Sequence, residues 1–448
     1  MTEARTLGTG GDLDESVLVE YLREQRWFGA NTREVTGAAP VDIIAIGAGL
    51  AVALVDVQFR VGTHDLYQLL IEQRDGKTFD ATRRPELARR LVELVARSEV
   101  LGGRGGDESR MTFRSIRPMA GLDAADARAI DGDQSNTSLV VGDAMLKAYR
   151  RVEAGMNPEL DMMLFFAEHG FEHVPDLVGW YGYEGTRVVA TLGVVQRFVP
   201  DAIDGWQLGL AEGAGAPDRF AERIHQLGAI VGAMHAVLAS STTDAALVPE
   251  EPTPEATGLL TAKIEEEIDA IFDEFSEREE LALLVGRRDD AHSLLGALGS
   301  ALAPGRSIRT HGDLHLAQTL WNGRDWFVID FEGEPARPAS TRRQKALPLR
   351  DVAGLLRSVS YLVWTLERQG NPVPDGWEQR ARERLLAGYR ETAPAAVLPS
   401  SAEAQERQLG MFELEKAFYE LRYELDHRPD CVNIPVRSIL AILERGAP

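Results

Sequence analysis

The apolar positions of this 448-residue chain predict three successive regions of different character. Across residues 13–27, Val17, Tyr21 and Leu22 fall on one side of an amphipathic helix. From 41 to 72 the chain carries β-rich runs instead: Ile43, Ile44 and Ile46, then 51–59, then 67–71. Gly47-Ala48-Gly49 and Gly62-Thr63-His64-Asp65 divide these runs, which predicts a small antiparallel sheet following one helix. A second helix is predicted over 85–96, and the turn-rich stretch Gly102 to Asp107 after it marks a domain boundary. From 111 to 200 the pattern reads strand, strand, helix, strand, strand. Segments 138–141 and 144–149 form a hairpin across Gly142-Asp143. Asn157-Pro158 opens the helix that runs to Gly170, with Asn as cap and Pro in the first turn. A further strand covers 188–198, and beyond Pro200 helices are predicted over 220–239, 258–275, 347–367, 374–389 and 405–427. The expected organisation is α+β, in three parts: 1–105, a β-rich 106–200 and a mostly helical 201–448.

Composition narrows the function classes without choosing one. The chain is 44% hydrophobic and 26% charged, ordinary for a globular protein. A formal net charge of −22 argues against broad binding to nucleic acid or anionic membranes. Its one cysteine, Cys431, leaves no internal disulfide and fits a reducing compartment. The start shows no basic region followed by an apolar one, and no apolar run approaches the roughly 20 residues that span a bilayer. The expectation is a cytoplasmic protein without nucleic-acid or membrane partners, a monomer or weak homodimer.

The chemistry concentrates in two short segments. Thr310-His311-Gly312-Asp313-Leu314-His315-Leu316-Ala317-Gln318 places a carboxylate and a side-chain amide in a polar loop, and Trp326 to Glu332 ends an apolar strand with Ile329-Asp330-Phe331-Glu332. Phosphoryl transfer calls for such parts: a carboxylate to orient a hydroxyl, and oxygen ligands for the magnesium that neutralises a triphosphate. Lys147 ends the strand Ala-Met-Leu-Lys-Ala-Tyr, and Glu159 follows in the first turn of the Asn157-capped helix, within reach of a strand lysine. A lysine so held grips the α and β phosphates of ATP in kinases. The turn Gln134-Ser135-Asn136-Thr137-Ser138 offers amides and small polar side chains to phosphate oxygens, though it is not a Gly-rich loop. No Walker A sequence occurs, which rules against the P-loop class. The segment 194–199, with Gln196 and Phe198, reads as a connector whose backbone could bind adenine.

Taken together, these features resemble the bilobal, protein-kinase-like fold of the aminoglycoside phosphotransferase superfamily, whose small-molecule branch carries H-G-D-x-H-x-x-N followed by I-D-x-E/D. Gln318 stands where that pattern has Asn and keeps a carbonyl oxygen for metal. Within the superfamily the chain is similar to the actinobacterial maltokinase-like group, which has a branch of glucosamine kinases. The matching segments are Leu-Arg-Glu-Gln-Arg-Trp at 22–27, Arg150 to Pro158, Pro348 to Ser358, and the Lys-x-x-Tyr-Glu-x-x-Tyr-Glu pattern from Lys416 to Glu424. The resemblance implies an N-terminal α/β capping domain (1–105), a nucleotide-binding N-lobe (106–200) and a C-lobe with catalytic loop and sugar site (201–448). It implies ATP and Mg2+ as cofactors, Asp313 as the base, Gln318 and Asp330 as metal ligands, and structural roles for His311 and His315.

It also implies that the last long helix lines the acceptor pocket. Met411, Leu414, Phe418, Leu421 and Leu425 form one apolar stripe, while the other face carries Glu413, Lys416, Glu420 and Tyr423. Substrate contacts are therefore expected from Asp313, Lys416, Tyr419, Glu420, Tyr423, Glu424 and Asp426. The density of carboxylates there favours a cationic amino sugar, glucosamine phosphorylated on its 6-hydroxyl, over maltose phosphorylated on its anomeric hydroxyl. An aminoglycoside phosphotransferase and a non-catalytic nucleotide-binding module are the competing readings. The intact set Lys147, Asp313, Gln318 and Asp330 speaks against the latter.

Overall fold

The computed structural model describes residues 5–9, 12–25, 27–28, 33–106, 108–119, 126–130, 136–275, 278–299, 305–334 and 337–446, the side chain of His427 excepted. The chain divides into two compact units, Met1–Pro200 and Asp201–Pro448.

The first unit contains two antiparallel sheets. One runs in the order Thr6–Thr9, Lys77–Asp80, His64–Arg74, Leu50–Phe59, Val35–Gly47, with the short strand Arg151–Val152 joining His64–Arg74. Its helix is Glu15–Arg23, shorter than periodicity predicts, because the Asp14 carboxylate accepts the Ser16 and Val17 amides and starts the helix there. Leu18, Tyr21 and Leu22 bury against one face of this sheet. The edge strand Thr6–Thr9 was not predicted. The second sheet runs Val100–Gly102, Arg110–Ser115, Leu177–Glu184, Val189–Arg197, Ala144–Ala148, Thr137–Val141, Ala127–Ala129. Helix Pro85–Arg97 sends Leu87, Leu91, Val92 and Val95 into a core that includes Ile44, Val52 and Leu70 of the first sheet and Phe113, Leu139 and Tyr181 of the second. Arg150 is fully buried where the sheets meet. It donates to the Gln68 carbonyl (3.2 Å), Thr82 Oγ1 (2.6 Å) and Thr137 Oγ1 (2.7 Å).

The second unit is mostly helical. Helices Pro217–Leu238 and Trp377–Thr392 cross in backbone contact, which only glycine permits: a Cβ on Gly388 would lie 1.9 Å from the His225 carbonyl oxygen. Helix Leu349–Arg368 is buried over most of its length, and helix Ala402–His427 lies against it. The stripe Met411, Leu414, Phe418, Leu421 and Leu425 is buried as its periodicity predicts. A three-stranded sheet of Ile203–Asp204, Thr319–Trp321 and Trp326–Val328 joins the two motifs, its second strand following residues 310–318 and its third leading into 329–332. Among the described residues no helix is long and apolar enough to cross a membrane.

Candidate active site

In the first unit, the lysine and the helix glutamate meet. Lys147 Nζ lies 2.9 Å from Glu159 Oε2, and both residues are buried. Asn157 sets the position of Glu159 by accepting its backbone amide at 2.8 Å. Two neutral donors complete the carboxylate's shell: Tyr149 Oη at 2.9 Å on Oε2 and Gln196 Nε2 at 3.5 Å on Oε1. A buried pair is tolerated when its remaining lone pairs are satisfied in this way.

Several of the residues expected at the nucleotide have partners within the protein. Gln196 is not in an open connector: it pairs across the sheet with both Met145 and Leu177, and it serves this site through its side chain. The Phe198 amide is already donated to the Asp143 carbonyl at 2.8 Å. Asn136 Oδ1 and Thr137 Oγ1, expected over phosphate, instead accept the Arg150 amide (3.2 Å) and Nε (2.7 Å). A buried guanidinium needs acceptors, and these two residues supply them. Ser135 lies outside the described residues.

In the second unit, the loop 310–318 is shaped by a buried carboxylate that periodicity does not single out. Asp351, in the first turn of Leu349–Arg368, accepts the His311 amide on Oδ2 (2.8 Å) and the Gly312 amide on Oδ1 (3.0 Å). His235, itself held by Tyr389 Oη at 3.0 Å, reaches Asp351 Oδ2 at 3.1 Å. Burial works to raise the Asp351 pKa, but the His235 hydrogen bond and charge, His311 and the Gly312 amide outweigh it and hold the carboxyl below its usual range. One turn on, Gly354 lets the Leu314 carbonyl approach; a Cβ there would lie 2.3 Å from that oxygen. One further turn on, Ser358 Oγ accepts the Leu316 amide at 3.2 Å. Residues 351, 354 and 358 thus share one helix face, and the loop is laid along it.

His311 takes the structural role expected of it. Its Nδ1 accepts the Asp313 amide (3.3 Å) and its Nε2 donates to the Ile329 carbonyl (2.8 Å), which selects one tautomer. Gly312 at φ +84 turns the chain so that Asp313 is presented. Gln318 Nε2 donates to Asp330 Oδ2 at 2.8 Å, so this amide brings the two expected metal ligands together. Asp330 holds the left-handed value φ +68, strain of the kind that collects at functional sites.

Residues 126–399 match the phosphotransferase enzyme family. The chain belongs to that family. Residues 21–99 match the maltokinase N-terminal cap domain. Curated relatives include a glucosamine kinase of Mycolicibacterium smegmatis, 27% identical over 330 residues, 71% of this chain and 80% of the relative. A glucosamine kinase of Streptacidiphilus jiangxiensis is 28% identical over 349 residues, 74% of this chain and 75% of the relative. Among solved structures, a glucosamine kinase in complex with glucosamine, ADP and inorganic phosphate has a TM-score of 0.68 at 20% identity, covering 95% of this chain and 98% of that one. A second crystal form of a glucosamine kinase reaches 0.72 at 21% identity, covering 95% and 99%. The fold is therefore the kinase-like one of this family, preceded by a cap.

In this phosphotransferase the last long helix reaches the loop 310–318 through Lys416. Lys416 Nζ lies 2.9 Å from Asp313 Oδ1 and 3.7 Å from Glu334 Oε1, and its ammonium is 4.7 Å from the Tyr419 ring centroid. Burial alone would raise the Asp313 pKa, but the Lys416 charge, with His315 and His311, holds it below the carboxylate norm.

Arginines meet four of the carboxylates expected to make this helix an open field of negative charge. Arg357 pairs with Glu420 at 2.7 Å, Arg350 with Glu415 at 2.6 Å, Arg382 with Glu413 at 2.6 Å, and Arg428 with Glu424 at 2.6 Å. Uncompensated buried carboxylates cost several kcal/mol each, so helices that bury them supply guanidiniums. Glu413 belongs to this buried seam and not to an open face. Tyr423 and Asp426 are exposed, and at about 1.5 Å of helix rise per residue Asp426 sits about 15 Å along the axis from Lys416, beyond a monosaccharide's reach.

Proposed function

We propose that this phosphotransferase moves the terminal phosphoryl group of ATP to the 6-hydroxyl of glucosamine. What carries the reaction class is Asp313, set out on a loop that Asp351, Gly354 and Ser358 hold at three points. What favours the acceptor is that the two curated relatives named above are glucosamine kinases. The maltokinase cap match favours maltose as the second reading. On this proposal 1–105 is the cap, 106–200 the nucleotide lobe and 201–448 the lobe for catalysis and sugar.

Asp313 orients the acceptor hydroxyl and takes its proton as the new O–P bond forms and the bond to the bridging oxygen of ADP breaks. Its depressed pKa keeps it ionised and ready to accept. Lys147, fixed by Glu159, is suited to the inner phosphates. The residues of the second unit fit magnesium by their donor chemistry. With its Nε2 given to Asp330, Gln318 has an Oε1 that accepts no hydrogen bond among the described residues, and a carbonyl and a carboxylate are the oxygen ligands this ion takes. The ion would supply charge neutralisation to the phosphates. Glu420 is the helix residue about one turn beyond Lys416; Arg357 holds its Oε2, and its Oε1, which accepts no hydrogen bond among the described residues, is offered to the sugar's amine.

A coupled ADP-release assay with magnesium-ATP against glucosamine, N-acetylglucosamine, glucose, maltose and kanamycin tests this. Turnover with glucosamine is the expected result. Turnover with maltose or kanamycin in its place would overturn the acceptor, and silence across the panel would overturn the activity.

A further inference from the structure

The contact between Lys416 and Asp313 is unlike the carboxylate–arginine pairs of the last long helix. Glu413, Glu415, Glu420 and Glu424 each meet an arginine that closes a packing seam. Lys416 runs the other way: like Arg422, which meets Glu267 and Glu274, it carries positive charge out of the helix, and it sets that charge on the residue assigned as the base. It is held there from behind. Glu334, buried, lies 3.7 Å away and pairs in turn with Arg337, while the Tyr419 ring packs 4.7 Å from the ammonium. A lysine has three donors and a long flexible stem, so fixing it in one place takes such a frame.

We propose that Lys416 is a positioning residue for the base: it holds the Asp313 carboxylate in its working orientation and sets a fixed positive charge beside the attacking oxygen. The inference rests on the assignment of Asp313 as base. Lys416 occupies Oδ1, so the acceptor hydroxyl is left to donate to Oδ2. A hydroxyl bonded there, at about 2.7 Å, shares the carboxylate with Nζ, which sets a half-buried ammonium near the oxygens of the moving phosphoryl group. The same occupancy carries a consequence for specificity. A substrate ammonium placed near Oδ1 would face Lys416, so an amino sugar is directed to enter with its hydroxyl towards Asp313 and its amine away from Lys416.

The experiment measures kcat and KM for both substrates in K416M, K416R and D313N, with thermal denaturation and ADP binding as folding controls. K416M is expected to lose about 10²-fold in kcat, the loss typical of removing one preorganised electrostatic contact, with ADP affinity within about threefold of wild type. K416R, which keeps the charge, is expected to recover at least tenfold of that loss. A K416M enzyme with wild-type kcat, beside an inactive D313N, would overturn the role of Lys416 alone. An active D313N would instead overturn the base assignment on which it rests. Equal losses in K416M and K416R with matching drops in melting temperature would reduce Lys416 to a packing residue and also overturn the proposal.

Discussion

Replacing Asp351 by asparagine tests whether the catalytic loop is positioned from behind. The wild-type carboxylate accepts the His311 amide at 2.8 Å, the Gly312 amide at 3.0 Å and His235 Nε2 at 3.1 Å, in a site 2% exposed. In D351N one oxygen remains to accept, and the new NH2 group faces a donor. At least one buried amide is then left unpaired, which costs about 1–3 kcal/mol. For a domain of this size each kcal/mol is worth about 2–4 °C, so a loss near 2 kcal/mol lowers the melting temperature by about 4–8 °C. The loop also loses its register on the helix, and a displacement near 1 Å of a catalytic group costs about 10²-fold in rate. The expected result is therefore a kcat about 10²-fold lower with nearly unchanged ADP affinity, read by coupled ADP release and by titration calorimetry. The pH dependence follows from the sign of the shift. Asp351 is held below its ordinary pKa, so its contribution to stability is present above the unfolded value of about 3.9 and is lost as pH falls through the lower folded value. The gap in melting temperature between wild type and D351N should thus be constant near neutrality and narrow below about pH 4. A variant with wild-type kcat and melting temperature would refute the clamp.

Three other substitutions probe the remaining links. Gly354→Ala places a Cβ 2.3 Å from the Leu314 carbonyl, so the loop must move; a destabilisation of about 1–3 kcal/mol and a kcat at least about tenfold lower are expected, and an unchanged rate would show the contact to be idle. Glu159→Gln removes the counter-charge of buried Lys147 and should raise the KM for magnesium-ATP about tenfold while leaving that for the sugar unchanged; equal effects on both would argue against a nucleotide role. Glu420→Ala leaves Arg357, 2% exposed, without its partner. It should cost about 3–5 kcal/mol of stability in addition to raising the sugar KM, and a rise in KM with an unchanged melting temperature would mean that the pair contributes nothing to the fold.

What the sequence discloses and what it hides separate along a physical line. Local determinants are legible. The Asn157-Pro158 helix start, the stripe from Met411 to Leu425, and the His-Gly-Asp and Ile-Asp-Phe-Glu segments each follow from neighbours within a few positions, and the structure has those elements. The edge strand Thr6–Thr9 was not legible, because its four residues gain their pairing only from Lys77–Asp80. The charges mislead for the same reason. Counted along the helix, Glu413, Glu415, Glu420 and Glu424 make an acidic face, yet their arginines come from positions 382, 350, 357 and 428, and three of those four lie on other helices. Sequence periodicity reports which residues share a face but not what the opposing face contributes, so a cluster of like charges can be a binding wall or half of a buried seam. Asp351 shows the opposite case. It is a lone carboxylate in the first turn of a helix that is otherwise almost wholly buried, where an ionised group persists only if several donors converge on it. That signal was present in Pro348-Leu349-Arg350-Asp351-Val352-Ala353-Gly354, and reading it as a demand for distant amide donors would have pointed to a buried loop as the partner. Lys416 follows from the same reasoning with the sign reversed. Its nearest helix carboxylates, Glu413, Glu415 and Glu420, are each taken by an arginine of another helix, which leaves Lys416 to an acid outside the helix, and the acid it reaches is Asp313.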